Sequence, residues 1–175
     1  MKNFWIDFGK PISVLVIISL VISGALALTN AKTAPIIEAA EKAKAEAARM
    51  EVLPEADSFV RMELDGLPSS VTEVYRAENG TGFVFLLTTK GYGGEMKLIC
   101  GMEREGRLVA ARTLLQSETQ GLGTKITLPS FTDQFVGKGA TLEGVDAISG
   151  ATISSKAFIG AIKDAFAAYD IAKEA

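Results

Sequence analysis

The chain has 175 residues, with 18 Lys and Arg against 21 Asp and Glu, a net charge of -3, and no histidine. Without histidine there can be no Ser-His-Asp or Cys-His nucleophile, no His-ligated haem and no His-containing zinc site. The single cysteine, Cys100, excludes an internal disulfide and a self-contained iron–sulfur cluster. Balanced charge with no basic cluster gives no footprint for nucleic acid. Chemistry in this chain therefore rests on carboxylates, hydroxyls, backbone groups or a borrowed cofactor.

Ile12 to Leu28 form an uncharged apolar run. As a helix it would be roughly 26 Å long, close to the ~30 Å hydrocarbon core of a bilayer once its flanks contribute. Phe4, Trp5 and Phe8 precede it at headgroup level. Lys2, Lys10 and the terminal amine lie on its N-terminal side, which predicts a cytoplasmic N-terminus and an extracytoplasmic C-terminal domain. Lys32, Lys42 and Lys44 follow closely and weaken that bias. The small residues of Ala25-Leu26-Ala27 leave a cleaved signal peptide as the rival reading; a retained single-pass anchor in the cell membrane is the expectation.

Thr33-Ala34-Pro35 predicts a new helix start, with Thr33 near the cap and Pro35 in the first turn. The run Ile36 to Val52 is rich in good helix formers, Glu38 and Lys42 have favourable i,i+4 spacing, and Pro54 stops it. Ile36, Ile37, Met50 and Leu53 are the residues expected to pack this helix on the domain.

From Phe59 the period changes. FVRMEL, VTEVYRAE, GFVFLLTT, EMKLICGM and RLVAARTLLQSE read as strands, with turns at Asn79-Gly80, Gly91-Tyr92-Gly93-Gly94 and Glu105-Gly106. Short turns imply an antiparallel sheet, with Cys100 a packed small hydrophobe. Gly121 and Gly123 break the pattern, and Ser130 to Val136 reads as a short helix. Ser155 to Lys173 carries Phe158, Ile159, Ile162, Phe166 and Tyr169 on one helical stripe, which is core packing. Strands followed by helices give an α+β domain. The expected organisation is a tail and anchor over residues 1–30, a membrane-proximal helix and linker over 31–57, and an extracytoplasmic domain over 58–175.

Asp146-Ala147-Ile148-Ser149-Gly150-Ala151-Thr152 leads into the last helix. From the residues alone it is a tight turn at a helix start, with Ser149, Thr152 and Ser154 as possible caps and Ser155 as a further one. Free N–H groups and a positive dipole end also suit a phosphate there.

The stretch resembles the flavinylation motif of the FMN-binding domain family: Asp, two variable residues, Ser or Thr, then Gly-Ala-Thr. The resemblance implies that Thr152 carries FMN through a phosphoester bond made by a separate flavin transferase. Asp146, Ser149, Gly150 and Ala151 would complete the recognition sequence. The Gly91–Gly94 turn, Ser117-Glu118-Thr119-Gln120-Gly121-Leu122-Gly123-Thr124-Lys125, and Val52-Leu53-Pro54 after an apolar N-terminal segment resemble the G-subunit family of the Rnf electron-transport complexes. Gln120 stands where that family commonly has proline. The C subunit of the sodium-pumping NADH:quinone reductase shares the motif and the anchor but is typically longer.

The resemblance implies an antiparallel-sheet FMN-binding domain behind a transmembrane helix, carrying one covalent FMN. It would relay electrons in a membrane complex that couples electron transfer between ferredoxin and NAD to sodium or proton translocation. The chain would be one member of that translocase among other subunits. The alternatives are the quinone-reductase C subunit and a non-catalytic anchored sensory or assembly module. Gly121, Leu122, Gly123 and Thr124 would approach the flavin or its phosphate. Lys125 would add positive charge or be a solvated lysine. Glu118 would bond the ring or hold the loop, and Tyr92 would pack near the ring or be a sheet-edge aromatic. No metal site is expected.

Overall fold

The structure is a computed structural model that describes residues 10–175, the side chains of residues 11 and 37–42 excepted. Lys2, Phe4, Trp5 and Phe8, and the side chains of Ile37, Glu38 and Lys42, lie outside the described residues. The described residues fall into two units that divide between Ala45 and Glu46.

Helix α1 runs Lys10–Val52 with Pro35 inside it. A separate helix start at Thr33–Pro35 is therefore not found. Thr33 lies within the helix, and its hydroxyl donates to the Thr29 carbonyl at 3.0 Å. Proline removes one N–H and crowds the carbonyl four residues back. Apolar residues before it and Ala, Glu and Lys after it still propagate the helix across that single loss. Ile12–Ile36 is long and apolar enough to cross a membrane. At 1.5 Å per residue, such a span of 25 residues is about 37 Å long.

The helix ends before Pro54, with the Leu53 N–H still donating to the Arg49 carbonyl. Val52, Leu53 and Ala56 are buried and Met50 is exposed, so Leu53 packs as expected and Met50 does not.

Five strands follow: β1 (Phe59–Met62), β2 (Val71–Ala77), β3 (Gly82–Lys90), β4 (Glu95–Glu103) and β5 (Leu108–Leu115). They form one antiparallel meander in sequence order. Gly80 and Gly106 take φ of 73° and 77° in their turns, the left-handed region that the Asn-Gly and Glu-Gly signals predict. A bulge in β2 lets Val71 pair with Leu87 and Val74 with Phe85. It places both valines on the same face despite their odd spacing.

Both faces of the sheet are covered. On one, Phe85, Leu87, Met96, Leu98, Cys100 and Met102 pack against the last helix, α3 (Thr152–Ala172), through Phe158, Ile162, Phe166 and Tyr169. On the other, Val84, Ile99 and Ala110 pack against Val52, Leu53 and Ala56. Gly101 permits this second contact, because a Cβ there would strike the Val52 carbonyl.

After β5 come a 3-10 segment at Gly123–Thr127, the short helix α2 (Pro129–Thr132) and a second 3-10 turn at Asp133–Phe135. Phe131 and Phe135 meet Phe158 of α3 with ring centroids 5.3 and 5.2 Å apart. Helix α3 begins at Thr152, three residues before its predicted start, because the Ser155 N–H already bonds the Ala151 carbonyl.

Candidate functional site

Three segments distant in sequence meet beside the start of α3. They are the β3–β4 turn at Tyr92, the loop from Glu118 to Gly123, and the turn that ends in Thr152. Together they line a hollow of about 410 Å³, whose wall consists of Tyr92, Glu118, Thr119, Leu122, Gly123, Gly150, Ala151, Thr152, Ile153 and Ser154. Tyr92, Leu122 and Ile153 are exposed, at 71%, 43% and 57% of their surface. Open apolar side chains on the rim of a hollow leave room for a flat aromatic ligand to cover them.

Glu118 joins the three segments. Its side chain is buried. Oε1 accepts the Gly93 N–H at 3.1 Å, and Oε2 accepts the Ser154 hydroxyl at 2.6 Å. The Glu118 N–H in turn donates to Gln116 Oε1 at 2.5 Å. A Cβ on Gly91 would strike Oε1, and one on Gly123 would come within 2.6 Å of Oε2. Those glycines are small so that the carboxylate can lie between them. Through these bonds Glu118 links the β3–β4 turn to the start of α3.

The turn before α3 closes with the Ala151 N–H on the Ile148 carbonyl at 3.0 Å. Gly150 has φ +79°, and a Cβ on it would lie 3.1 Å from Leu122 Cδ1. Ala151 occupies the cap position of α3, and no side chain caps the helix. Serine capping, expected from the sequence, is thus corrected. The buried Ser154 hydroxyl is committed to Glu118. The Ser155 hydroxyl donates to the Ala151 carbonyl at 2.8 Å and accepts the Ile148 N–H at 3.1 Å. Thr152 differs from both, being exposed in the wall of the hollow. The first N–H groups of an α-helix have no intrahelical partner, and a capless start leaves them available to an anion.

The hollow gathers Tyr92, Glu118, Leu122, Gly123, Gly150, Ala151 and Thr152 among the predicted site residues. Asp146, Ser149, Gly121, Thr124 and Lys125 lie outside its wall. The Thr124 hydroxyl accepts the Gly121 N–H at 3.0 Å, which closes the loop on itself. The Asp146 N–H donates to Gln134 Oε1 at 2.9 Å. Lys125 is exposed. Thr119 and Ile153 are wall residues that the sequence does not single out, Thr119 inside the glycine loop and Ile153 next to Thr152; Ser154, read from the sequence as a possible cap, is also in the wall.

A larger hollow of about 800 Å³ lies near the other end of α3, lined by Arg76, Glu78, Arg104, Tyr169 and Lys173 among others. None of the predicted site residues lines it. Among the described residues, no group of Cys, Asp and Glu is placed to hold a metal ion.

An uncapped helix start, an exposed threonine hydroxyl beside it and three open apolar side chains fit a phosphate-bearing aromatic group. Residues 91–167 match the FMN-binding domain family, and the match spans all three segments. Over 184 aligned residues the chain is 32% identical to the G subunit of the Na(+)-translocating ferredoxin:NAD(+) oxidoreductase complex of Acetobacterium woodii, covering 89% of this chain and 88% of the relative. It is 33% identical to the G subunit of the ion-translocating oxidoreductase complex of Methanosarcina acetivorans, covering 91% and 93%. Among solved structures, the C subunit of the Na(+)-translocating NADH-quinone reductase of Parabacteroides distasonis is 22% identical, with 60% and 62% coverage and a TM-score of 0.49. The chain belongs to the G-subunit family of ion-translocating oxidoreductase complexes, built on an FMN-binding domain.

Proposed function

We propose that this protein is the covalent-FMN electron-relay subunit of a membrane complex that couples electron transfer between ferredoxin and NAD to sodium or proton translocation. The observation that carries the reading is the state of three neighbouring hydroxyls. Ser154 and Ser155 are buried and hydrogen-bonded, while Thr152 is exposed in the wall of the hollow at the start of α3. Thr152 is then the attachment residue, joined to the FMN phosphate by a flavin transferase. The capless helix start would meet the phosphate with N–H groups and a positive dipole end. Tyr92, Leu122 and Ile153 would flank the ring, and Glu118 would hold the surrounding loops.

Bound FMN supplies redox chemistry that no side chain here offers, accepting electrons in pairs and releasing them singly. The chain's own contribution is to hold and orient that group. The apolar span Ile12–Ile36 anchors the protein, with the N-terminus cytoplasmic and residues 58–175 as the extracytoplasmic flavin domain. That span carries no carboxylate, so ion conduction falls to other members of the complex.

Co-expression with a flavin transferase, followed by intact mass and peptide mapping, tests the assignment. One FMN on Thr152 supports it. A protein that stays colourless, or flavin mapped to a serine, overturns it.

A further inference from the structure

With FMN in the hollow beside Thr152, the reading on which this inference rests, the charge of the wall bears on the flavin's chemistry. Glu118 is the one carboxylate among the wall residues, and its side chain is buried. Its hydrogen-bond donors, the Gly93 N–H and the Ser154 hydroxyl, are both neutral. Among the described residues it makes no ion pair with any Lys or Arg. Arg112, the nearest cation in sequence, pairs with Glu51, Lys125 is exposed, and both lie outside the wall.

Tying Gly93 to Ser154 does not itself require a charge. A glutamine in the same place could accept the Gly93 N–H through its carbonyl and donate to the Ser154 oxygen. Burying a carboxylate costs more than burying an amide. The positive end of α3 offsets part of that cost, and the net negative charge stays in the wall.

We infer that the Glu118 carboxylate holds down the reduction potential of the flavin as a fixed negative charge in the pocket wall. Reduction takes two electrons from the donor and one proton from water, and leaves one negative charge on the ring. Reoxidation passes both electrons to the acceptor and returns the proton. A fixed negative charge in a poorly solvated wall opposes the first change and favours the second. Glu118 is in this sense a positioning residue that also biases the electron equilibrium, making the bound group a stronger reductant.

The test uses the full chain, co-expressed with a flavin transferase and purified in detergent, with one FMN per chain verified by intact mass. The potential is read by optical redox titration with dithionite. Glu118→Gln is expected to raise the midpoint by about 30 mV, a tenfold change in the two-electron equilibrium constant. Ser154→Ala removes a donor but keeps the charge, so its midpoint should not rise. An unchanged midpoint in flavin-loaded Glu118→Gln overturns the inference. So does a rise in Ser154→Ala equal to that of Glu118→Gln, because geometry and not charge would then set the potential. If Glu118→Gln takes up no flavin, flavin-loaded Glu118→Ala decides: a raised midpoint supports the inference and an unchanged one overturns it. Absence of flavin on the wild-type chain is a different result, and refutes the FMN reading itself.

Discussion

Leu122 Cδ1 lies 3.1 Å from where a Cβ on Gly150 would stand, so the glycine loop and the turn before α3 meet at a position without a side chain. Gly150 is also held at φ +79°. Gly150→Ala therefore meets two penalties, a left-handed backbone and a crowded neighbour. It is expected to destabilise the domain by roughly 1–2 kcal/mol, visible as a lower thermal midpoint. Flavin incorporation should fall with it, since the displaced turn carries Thr152.

Thr152→Ala is expected to abolish covalent flavin while leaving the fold intact, because the Thr152 side chain is exposed and makes no hydrogen bond that caps α3. Fluorescence in a denaturing gel and far-UV circular dichroism check the two halves of this expectation. Ser155→Ala should behave in the opposite way. It keeps the flavin site but removes a hydroxyl that holds Ala151 and Ile148, at a cost of about 1 kcal/mol.

Cys100 is fully buried, and burial alone pushes its thiol well above the ordinary range. The folded protein thus keeps the thiol proton at pH values where the unfolded chain loses it. Stability from this source is complete below the unfolded thiol pKa and declines as pH rises above it. The slope approaches about 1.4 kcal/mol per pH unit. Urea melts between pH 8 and 11 should show a decline that Cys100→Ala lacks. Native protein should also resist maleimide labelling that denatured protein accepts.

Leu53 is 2% exposed and packs beneath the sheet with Val52 and Ala56. Leu53→Ala should cost about 2–5 kcal/mol in urea unfolding, the ordinary range for a truncated core leucine. The result would distinguish a residue built into the core from one that merely links anchor and domain.

The meander was legible because three of its four hairpins carry local turn chemistry that the sequence displays, at Asn79-Gly80 and Glu105-Gly106 above all. The stripe of α3 was legible for the same reason, since Phe158, Ile162, Phe166 and Tyr169 repeat at helical spacing. The continuity of α1 through Pro35 was not. A proline signal is local, whereas the tendency to continue a helix is summed over many neighbours. Double-sided burial of β3 was also hidden, because Val84 finds its partners in Val52 and Leu53, far away in sequence. The role of Glu118 depends on Gly93 and Ser154, 25 and 36 residues from it, and no spacing rule connects them.

The sequence-ordered sheet has a consequence for how the protein comes into being. Each strand from β1 to β5 pairs with its immediate neighbours in the chain, so the sheet can zip up from local contacts, which form quickly. The hollow beside Thr152 is different, because it needs Tyr92 from the sheet and Ser154 from the final helix. It is completed only when α3 docks on the assembled sheet. A transferase that recognises the finished turn would therefore act on chains that have already folded, and colour would mark maturity.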